Sequence, residues 1–385
     1  MDPIISQLAS GFINFTWGQA LMILVGAVLI TLAIWKEYEP VLLLPIGFGC
    51  IIANLGMAVD QSACHALVSV EQNFMTTIYC AGIATELFPL LIFVGVGAMI
   101  DFSPLLAMPQ TVLLGAAGQF GIYGTLLLAV LLGFPLNEAA SIGVIGAIDG
   151  PTAIFVSSKL APDMLGAIAV AAYSYMSLIP IIQPPIMRLL TTKKERRIRM
   201  EYAPRPVSKR TLKMFPIVVT IVISLIAPQA APLIATLMLG NLLMVSGVVD
   251  RLNKMAQNEL INIATLFLGL SIGATMTAQA FLNTKTLMVL GLGLLAFVLD
   301  TVAGLMFGKL MCFISGGKIN PLIGACGISA FPMAARLSAK MAQEEDYDNF
   351  ILMHAMGSNT AGQLGSVIAG GLLLVLTSVL GGFPI

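Results

Sequence analysis

A carboxylic acid stands at a break in an otherwise apolar segment of this 385-residue chain. Asp149 lies in the run GAIDGPT, residues 146–152. Proline removes a backbone donor and disfavours helix in the residue before it, and glycine lowers the cost of leaving helical geometry. We therefore expect two half-helices with an unwound joint, in which Gly150 and Thr152 flank the acid. The freed carbonyl oxygens need a cation, water or a protein group as partner.

Asp149 has no basic residue near it in sequence, because no Lys or Arg occurs between Lys36 and Lys159. An embedded carboxylate is costly and is a functional-site hypothesis by default. It could bind a cation or carry a proton. The alternative is that it caps the second half-helix by accepting from its first N–H groups. The two roles can coexist.

Neutral polar atoms occur in two further stretches of the second half. NPLIGACGISAFP, residues 320–332, is another glycine-rich span broken by proline, and GSNTAGQLGS, residues 357–366, lies in the last apolar stretch. The spacing of Gly362 and Ser366 is equally typical of close helix packing. One carboxylate with amide, hydroxyl and carbonyl oxygens suits Na⁺ or a proton, and there are too few carboxylates for a strong Ca²⁺ or Mg²⁺ site.

Transition-metal and disulfide chemistry are not expected. The five cysteines are odd in number and form no Cys-x-x-Cys pair, so we interpret them as small apolar fillers. The two histidines, His65 and His354, are far apart in sequence. Na⁺ is the only metal ion that the sequence indicates.

Other polar residues leave alternatives open. Tyr173 and Tyr175 lie in mid-span, where a role in lining the site or relaying protons competes with the usual role of Tyr as an interface anchor. Asp300, in AFVLDTVAG, makes either a helix-packing hydrogen bond or part of an ion path. We expect the acids near span ends to be solvated, namely Glu86, Asp101 and Glu138.

The elements that carry these residues must be membrane helices. The chain is 58% hydrophobic and only 10% charged, with a mean hydropathy of +0.96, whereas soluble domains are about 25% charged. This excludes a soluble enzyme, a nucleic-acid binder and a disordered chain. The apolar runs are continuous and do not alternate like barrel strands. We predict an all-α polytopic membrane protein.

About twenty apolar residues span a bilayer, and a scan on that length gives roughly ten to twelve elements, some of which could be re-entrant hairpins. The candidates lie near 19–35, 41–58, 83–100, 111–134, 140–158, 164–187, 214–229, 232–250, 261–281, 286–313, 320–340 and 350–380.

The two halves of the chain resemble each other, as in repeat-built transporters. Gly97 matches Gly273, and Lys159 matches Lys340, in the same order along the chain. We predict a first membrane repeat over 1–187, a basic cytoplasmic linker over 188–213 and a second repeat over 214–385, with discontinuous helices meeting near the membrane midplane.

Ten of the 19 basic residues lie in the linker 188–213. The positive-inside rule places this segment in the cytoplasm. It is either a topology signal alone or also a docking surface for a soluble partner or anionic lipid. The acidic run 344–348 suits either side of the membrane.

The sequence resembles the β subunits of the sodium-pumping biotin-dependent decarboxylases, which act on oxaloacetate, methylmalonyl-CoA, glutaconyl-CoA or malonate. The resemblance is carried by GAIDGPTAIFVSSKLAPDMLGAIAVAAYSYMSLIPIIQPPIMRLLTTKKER, NPLIGACGISAFPMAAR and MHAMGSNTAGQLGS, and it runs through nearly the whole chain. The stretch 57–81 has no counterpart that we recognise.

The resemblance implies the roles of particular residues. Asp149 would be the central Na⁺/H⁺ site. The other family positions map onto Asn320, Gly324, Ser329, Arg336, Tyr175 and Asn359, with Tyr173 beside Tyr175 and with Ser358 replacing the usual proline before Asn359. Arg336 would hold the carboxybiotin carboxylate or stay in a structural ion pair.

The resemblance also implies an assembly and a reaction. The β subunit decarboxylates carboxybiotin, consumes a proton and exports Na⁺. Biotin arrives on a carrier subunit, and the further partners are a carboxyltransferase α subunit, a small membrane anchor subunit and further copies of the chain, with no nucleic acid. The expected location is the bacterial or archaeal cytoplasmic (inner) membrane. The alternative function is a Na⁺-coupled secondary transporter of a small solute, because this kind of fold serves both.

Overall fold

A computed structural model of the chain describes residues 15–37, 39–65, 73–200 and 207–382, and these residues form helices and no strand. The α-helices, in chain order, are α1 Trp17–Trp35, α2 Pro40–Ile52, α3 Phe74–Gly82, α4 Leu87–Met99, α5 Ser103–Ala107, α6 Thr111–Ala117, α7 Phe120–Leu131, α8 Leu136–Gly143, α9 Gly150–Leu160, α10 Leu165–Leu190, α11 Lys193–Arg196, α12 Lys209–Ile226, α13 Ala231–Ser246, α14 Asp250–Met255, α15 Ile261–Thr275, α16 Ala278–Phe281, α17 Thr284–Ile314, α18 Met333–Glu345 and α19 Leu352–Gly381.

Seven stretches of helix are long and apolar enough to cross a membrane, and two bent pairs bring the number to nine within the described residues. The bends are 59° between α3 and α4 and 62° within α10. The all-α polytopic class is therefore confirmed. The single stretches are Trp17–Trp35, Pro40–Met57, Thr111–Leu131, Pro228–Ser246, Asp250–Thr275, Thr284–Ile314 and Leu352–Gly381.

The molecule has two ends that differ in chemistry. We call the end that carries residues 188–199 the basic end, and the opposite end the disulfide end, because Cys64 and Cys80 form a disulfide there. The expectation that all cysteines are apolar fillers is wrong for these two. The pairing depends on the fold, since it joins the 3₁₀ turn Gln61–His65 to α3, and an odd cysteine count gave no sign of it.

Two of the predicted spans, 140–158 and 320–340, are re-entrant hairpins. Hairpin 1, residues 136–160, consists of α8, the 3₁₀ turn Val144–Ala147 and α9. Its legs start and finish together at the disulfide end, where the Asn137 side-chain amide donates to the Leu160 carbonyl at 2.7 Å. Each leg is too short to cross a bilayer.

Hairpin 2, residues 320–345, enters from the basic end. It consists of the 3₁₀ helix Pro321–Gly327, an extended tip and α18. Its first residue, Asn320, donates to the Arg196 carbonyl at 3.0 Å, and its last, Glu345, forms an ion pair with the Arg196 guanidinium at 2.6 Å. The two hairpins thus enter from opposite ends and meet at their tips.

Helices of one half pack on helices of the other half in a reciprocal way, α4 with α13 and α15 with α2. The matched glycines make both contacts possible. A Cβ atom on Gly97 would lie 1.9 Å from the Leu237 carbonyl oxygen, and one on Gly273 would lie 2.1 Å from that of Ile46. Within the described residues, each half also has five crossing elements and one hairpin, if α12 is counted as a crossing. This arrangement supports the predicted repeat, which remains a prediction.

Candidate ion site at the meeting of the hairpin tips

Asp149 occupies the turn between the two legs of hairpin 1. Ile148 has a left-handed φ of 51°, and the chain then turns into α9 with Asp149 as its N-cap residue. The Asp149 carbonyl accepts from the Ala153 N–H at 2.9 Å, and its carboxylate accepts from the Thr152 N–H at 3.5 Å. The capping role therefore exists, as the Gly-Pro break suggests.

The second carboxylate oxygen of Asp149 accepts three hydrogen bonds from neutral side chains. The donors are the hydroxyls of Thr152 at 2.8 Å and Ser366 at 2.7 Å, and the amide of Gln363 at 2.9 Å. Only 5% of Asp149 is exposed. No Lys or Arg contacts it among the described residues, so hydrogen bonds alone stabilise this buried carboxyl group.

Gln363 and Ser366 were not predicted as partners of Asp149. Their spacing of three residues places both on one face of α19, and the sequence shows polar residues at that spacing within an apolar helix. The same pattern is typical of small-residue helix packing, so the sequence alone does not separate the two interpretations.

Hairpin 2 reaches the site through Ser329, and Asn359 on α19 holds its tip. The Ser329 N–H donates to the Ala147 carbonyl at 3.1 Å, which joins the two tips directly. The Ser329 hydroxyl donates to the Gly362 carbonyl at 3.1 Å. The Asn359 amide donates to the carbonyl of Ile328 at 2.7 Å, and its own carbonyl oxygen has no protein partner among the described residues.

Gln119 is a buried amide that sequence reasoning missed. Its Nε2 donates to the carbonyl oxygens of Gly327 at 3.0 Å, Gly362 at 3.3 Å and Gly115 at 3.2 Å. It therefore connects hairpin 2, α19 and α6. Because a lone Gln between short helices carries no distinctive pattern, no sequence signal indicated this role.

The two candidate tyrosines have different surroundings. The Tyr173 ring packs against hairpin 1, where a Cβ atom on Gly150 would lie 2.1 Å from the ring. Tyr173 also lines a cavity together with Asp149. Tyr175 instead donates its hydroxyl to the Leu290 carbonyl of α17 and does not line this cavity. The geometry favours Tyr173 as the residue that lines the site.

The cavity beside Asp149 has a volume of about 320 Å³. It lies between hairpin tips and the first turns of α2 and α15, both of which start at the basic end. Its polar lining comes from residues of both halves, namely Glu39, Asp149, Tyr173, Gln257, Asn262, Thr265, Ser329 and Gln363.

Besides Tyr175, three predicted site residues are not brought to Asp149. The Asn320 amide donates to the backbone carbonyl oxygens of Arg196 at 3.0 Å and of Ile198 at 2.9 Å. Both belong to residues 188–199, which we call the basic segment. Gly324 packs on α17, where a Cβ atom would lie 2.1 Å from the Gly304 carbonyl oxygen. Arg336 is exposed on α18 and has no ion pair among the described residues.

Asp300 is fully buried in α17 and contacts hairpin 1 and α7. Its Oδ1 accepts from the Gly121 N–H, near the first turn of α7. A Cβ atom on Gly146 would lie 2.9 Å from its Oδ2. These contacts agree with the helix-packing alternative.

Two acids at span ends are ion-paired, which corrects the expectation that they are solvated. Glu86 pairs with Lys159 at 2.7 Å, and Glu138 pairs with Lys285 at 3.1 Å. Each glutamate side chain is 18% exposed. Asp101 is exposed, as expected.

The basic segment pairs with the acidic run at the end of α18. Besides the Arg196–Glu345 pair, Arg188 pairs with Glu344 at 3.0 Å, and Arg199 with Asp346 at 2.6 Å. The segment is thus fastened to hairpin 2, a role that neither alternative from the sequence included. The Arg196 hydrogen bond lowers the pKa of Glu345 below its usual 4.5, and Arg199 likewise lowers that of Asp346.

These features define a class of protein. The chain is a helical membrane protein in which two hairpins enter from opposite ends and meet at a buried acid. This arrangement is typical of membrane transport proteins for small ions. Within the described residues, no cluster of His, Cys, Asp and Glu could hold a metal ion.

Comparison with known proteins gives the family. Residues 18–377 match the family described as the Na⁺-transporting oxaloacetate decarboxylase beta subunit. The chain is 52% identical to the methylmalonyl-CoA decarboxylase subunit beta of Veillonella parvula (96% of both chains). It is also 52% identical to the glutaconyl-CoA decarboxylase subunit beta of Acidaminococcus fermentans (98% of this chain and 99% of the other). A probable oxaloacetate decarboxylase beta chain of Pasteurella multocida is 46% identical (99% and 100%).

The chain therefore belongs to the family of β subunits of Na⁺-transporting decarboxylases. It is the membrane subunit of a multi-subunit enzyme, and the prediction of a decarboxylase pump subunit is confirmed over the alternative of a secondary transporter.

Proposed function

We propose that Na⁺ and a proton bind Asp149 in alternation, and that this exchange couples decarboxylation to Na⁺ export. The observation that carries the proposal is the environment of Asp149, which holds three neutral donors and no basic group. A buried carboxylate without a positive partner is stable only when a proton or a cation neutralises it. One carboxyl group then carries either ion but not both.

The surrounding oxygens suit Na⁺. The hydroxyls of Thr152 and Ser366 donate to the protonated or empty site, and each can rotate to present its oxygen to a cation. The Asn359 carbonyl oxygen and the backbone of the hairpin tips add neutral oxygens, which hard cations prefer. Ser329 joins the two tips and Asn359 holds the tip of hairpin 2 on α19, whereas Asn320 and Gly324 position the start of hairpin 2.

The cavity gives Asp149 a route toward the basic end, which we place in the cytoplasm because of its Lys and Arg. The disulfide end then faces outward, where thiols oxidise. The chain would lie in a bacterial or archaeal inner membrane. Cytoplasmic Na⁺ would enter the cavity beside Tyr173 and displace the proton from Asp149.

Biotin would arrive on a carrier subunit. Carboxybiotin supplies a carboxyl group that leaves as CO₂ once the ring nitrogen takes up a proton. The cavity opens at the end where that carrier would dock, and Arg336 is free there to bind a carboxylate. The proton that Na⁺ displaces from Asp149 would be available on the same side. Tyr175 would act by positioning, through its bond to Leu290.

Other partners follow from the family. We propose a carboxyltransferase α subunit, a small membrane anchor subunit and a homo-oligomer of the β chain. The relatives are named for different substrates at similar identity, 52% for two acyl-CoA decarboxylases and 46% for a probable oxaloacetate decarboxylase. This supports the selection of substrate in another subunit.

Proton release tests the exchange directly. Addition of Na⁺ to the purified, weakly buffered complex should release protons, and K⁺ should not. Asp149→Asn should abolish the release, whereas Asp300→Asn, which changes the other acid that is buried among the described residues, should retain it. Release of protons by the Asp149→Asn variant would refute the assignment.

A further inference from the structure

An ion pair fastens hairpin 1 to its neighbour at the disulfide end. Lys159, in the last turn of α9, lies 2.7 Å from Glu86, and their side chains are 25% and 18% exposed. The Lys159 ammonium also lies 5.1 Å from the centroid of the Phe155 ring. Glu86 has a left-handed φ of 63° at the bend between α3 and α4. Partial burial strengthens the attraction between the two charges.

The corresponding groups at the basic end are not paired. Lys340, the match of Lys159 in the second half, is exposed on α18 and has no ion pair among the described residues. The element that corresponds to α4 is α15, because Gly97 matches Gly273. By this match Glu86 corresponds to Asn262, and the nearest acid is Glu259, about one helical turn earlier, which is exposed and unpaired within the described part of the chain.

The helix packing also differs between the two ends, and it is tighter at the end where the ion pair exists. At the disulfide end α9 packs against α4, whereas at the basic end α18 makes no comparable contact with α15. The cavity beside Asp149 lies in this gap, between Gln257 and Asn262 on one side and Ser329 and Phe331 on the other. The path to Asp149 is therefore closed at the disulfide end, where the ion pair exists, and open at the basic end, where the ion pair is missing.

We propose that Lys159–Glu86 and Lys340–Glu259 are alternating ionic latches. The first holds the disulfide end closed while Asp149 is open to the basic end. In the opposite state α9 separates from α4, α18 closes on α15, and the second pair forms. This inference rests on the proposed function, since it describes how the ion path opens first to one side and then to the other.

Ion pairs that do not cross the gap serve as references. Glu138 on α8 pairs with Lys285 on α17, and α8 packs directly on α17. Because α17 also packs on the turn Val144–Ala147 of hairpin 1, we expect the two charges to stay on elements that move together. Residues of the Arg196–Glu345 pair likewise remain joined, because the basic segment is bound to hairpin 2.

Paired cysteine variants of the full complex in proteoliposomes test the latches. With a short bifunctional methanethiosulfonate, which bridges two thiols through reducible disulfides, Glu86→Cys/Lys159→Cys should cross-link at rest and lose Na⁺ transport, and reductant should restore it. Glu259→Cys/Lys340→Cys should cross-link only during turnover. The control, Glu138→Cys/Lys285→Cys, should cross-link and retain transport. Wild type with and without reductant is the reference, because reductant also reaches Cys64–Cys80.

Variants that swap the charges of Lys159 and Glu86 test the first latch without cross-linking. Lys159→Glu should impair Na⁺ transport by placing two acids together, and Lys159→Glu/Glu86→Lys should restore it. Full transport by the cross-linked 86/159 pair, or no cross-link of the 259/340 pair in any condition, would overturn the latches. Loss of transport in the cross-linked control would overturn them too. A wild-type complex that transports no Na⁺ would instead refute the proposed function.

Discussion

The carboxylate of Asp149 lies 2.7 Å from the hydroxyl of Ser366, although the two residues are 217 positions apart in the chain. The contact joins the tip of hairpin 1 to α19, the last described helix. Because Ser329 also donates to the Gly362 carbonyl, the same part of α19 holds both tips. The acid of the first half is therefore positioned by the second half.

Ser366→Ala removes one of the three donors to the Asp149 Oδ2. In the proposed site the Ser366 hydroxyl oxygen turns to the bound Na⁺, so loss of this ligand should raise the apparent KM for Na⁺ in decarboxylation by about tenfold, the effect of about 1.4 kcal/mol. The matched control is Thr377→Val on the same helix, whose hydroxyl donates only to carbonyls of its own helix, those of Leu373 and Leu374. An equal rise in both variants would contradict the role of Ser366.

Gly150→Ala places a methyl group within the Tyr173 ring, since the added Cβ would lie 2.1 Å from it. The ring or the tip of hairpin 1 must move, and Na⁺-dependent decarboxylation should fall sharply. Gly291→Ala is the control, because a Cβ there meets nothing within 4 Å. The decarboxylation rate of each purified variant complex decides the prediction. Normal activity of Gly150→Ala would show that the close contact has no part in the site.

The Cys64–Cys80 disulfide predicts the number of reactive thiols. Of the five cysteines, three are free, Cys50, Cys312 and Cys326. The denatured protein should react with three equivalents of a maleimide-polyethylene glycol before reduction and five after it, counted as gel shifts. Five equivalents without reductant would contradict the disulfide. In the chain-entropy picture its loss should destabilise the fold by about 3 kcal/mol, which is the value for a loop of this length.

The Arg196–Glu345 pair predicts a pH dependence of stability. Because Arg196 lowers the pKa of Glu345 in the folded protein, the pair contributes stability above the unfolded pKa of the carboxyl group. That contribution is lost as pH falls through the lower, folded pKa. Arg196→Gln should therefore lower the Tm at pH 7 by a few degrees.

The difference in Tm between Arg196→Gln and wild type should shrink below about pH 4. The control is Lys194→Gln, which changes an exposed residue of the same segment that has no ion pair among the described residues. Thermal melts of the purified complex between pH 3 and 7 provide the measurement. A difference that stays constant over this range would exclude the ion pair as its source.

Some of the site could be predicted from local sequence, and some could not. Asp149 was predictable because the Gly-Pro break and the lack of nearby basic residues are both local features. Gln363 was not, since its contact with Asp149 spans 214 positions and exists only in the folded chain. Its amide in an apolar helix is equally typical of packing.

The two hairpins could not be distinguished from membrane crossings by sequence alone. An apolar stretch of about twenty residues has the same hydropathy whether it crosses the membrane or turns back at its centre. Contacts such as Asn137 with Leu160 distinguish the two, and these depend on the positive φ at Ile148. The disulfide was hidden for a similar reason, because the spacing of Cys64 and Cys80 is not distinctive.

Na⁺ uptake and decarboxylation, measured in the same proteoliposomes with Asp149→Asn, test most directly whether Asp149 exchanges Na⁺ for a proton. The variant keeps the size of the side chain and its N-cap oxygen but removes the group that binds Na⁺ and the proton in turn. We predict that both activities disappear together while the complex still assembles. Na⁺-stimulated decarboxylation that persists in this variant would contradict it.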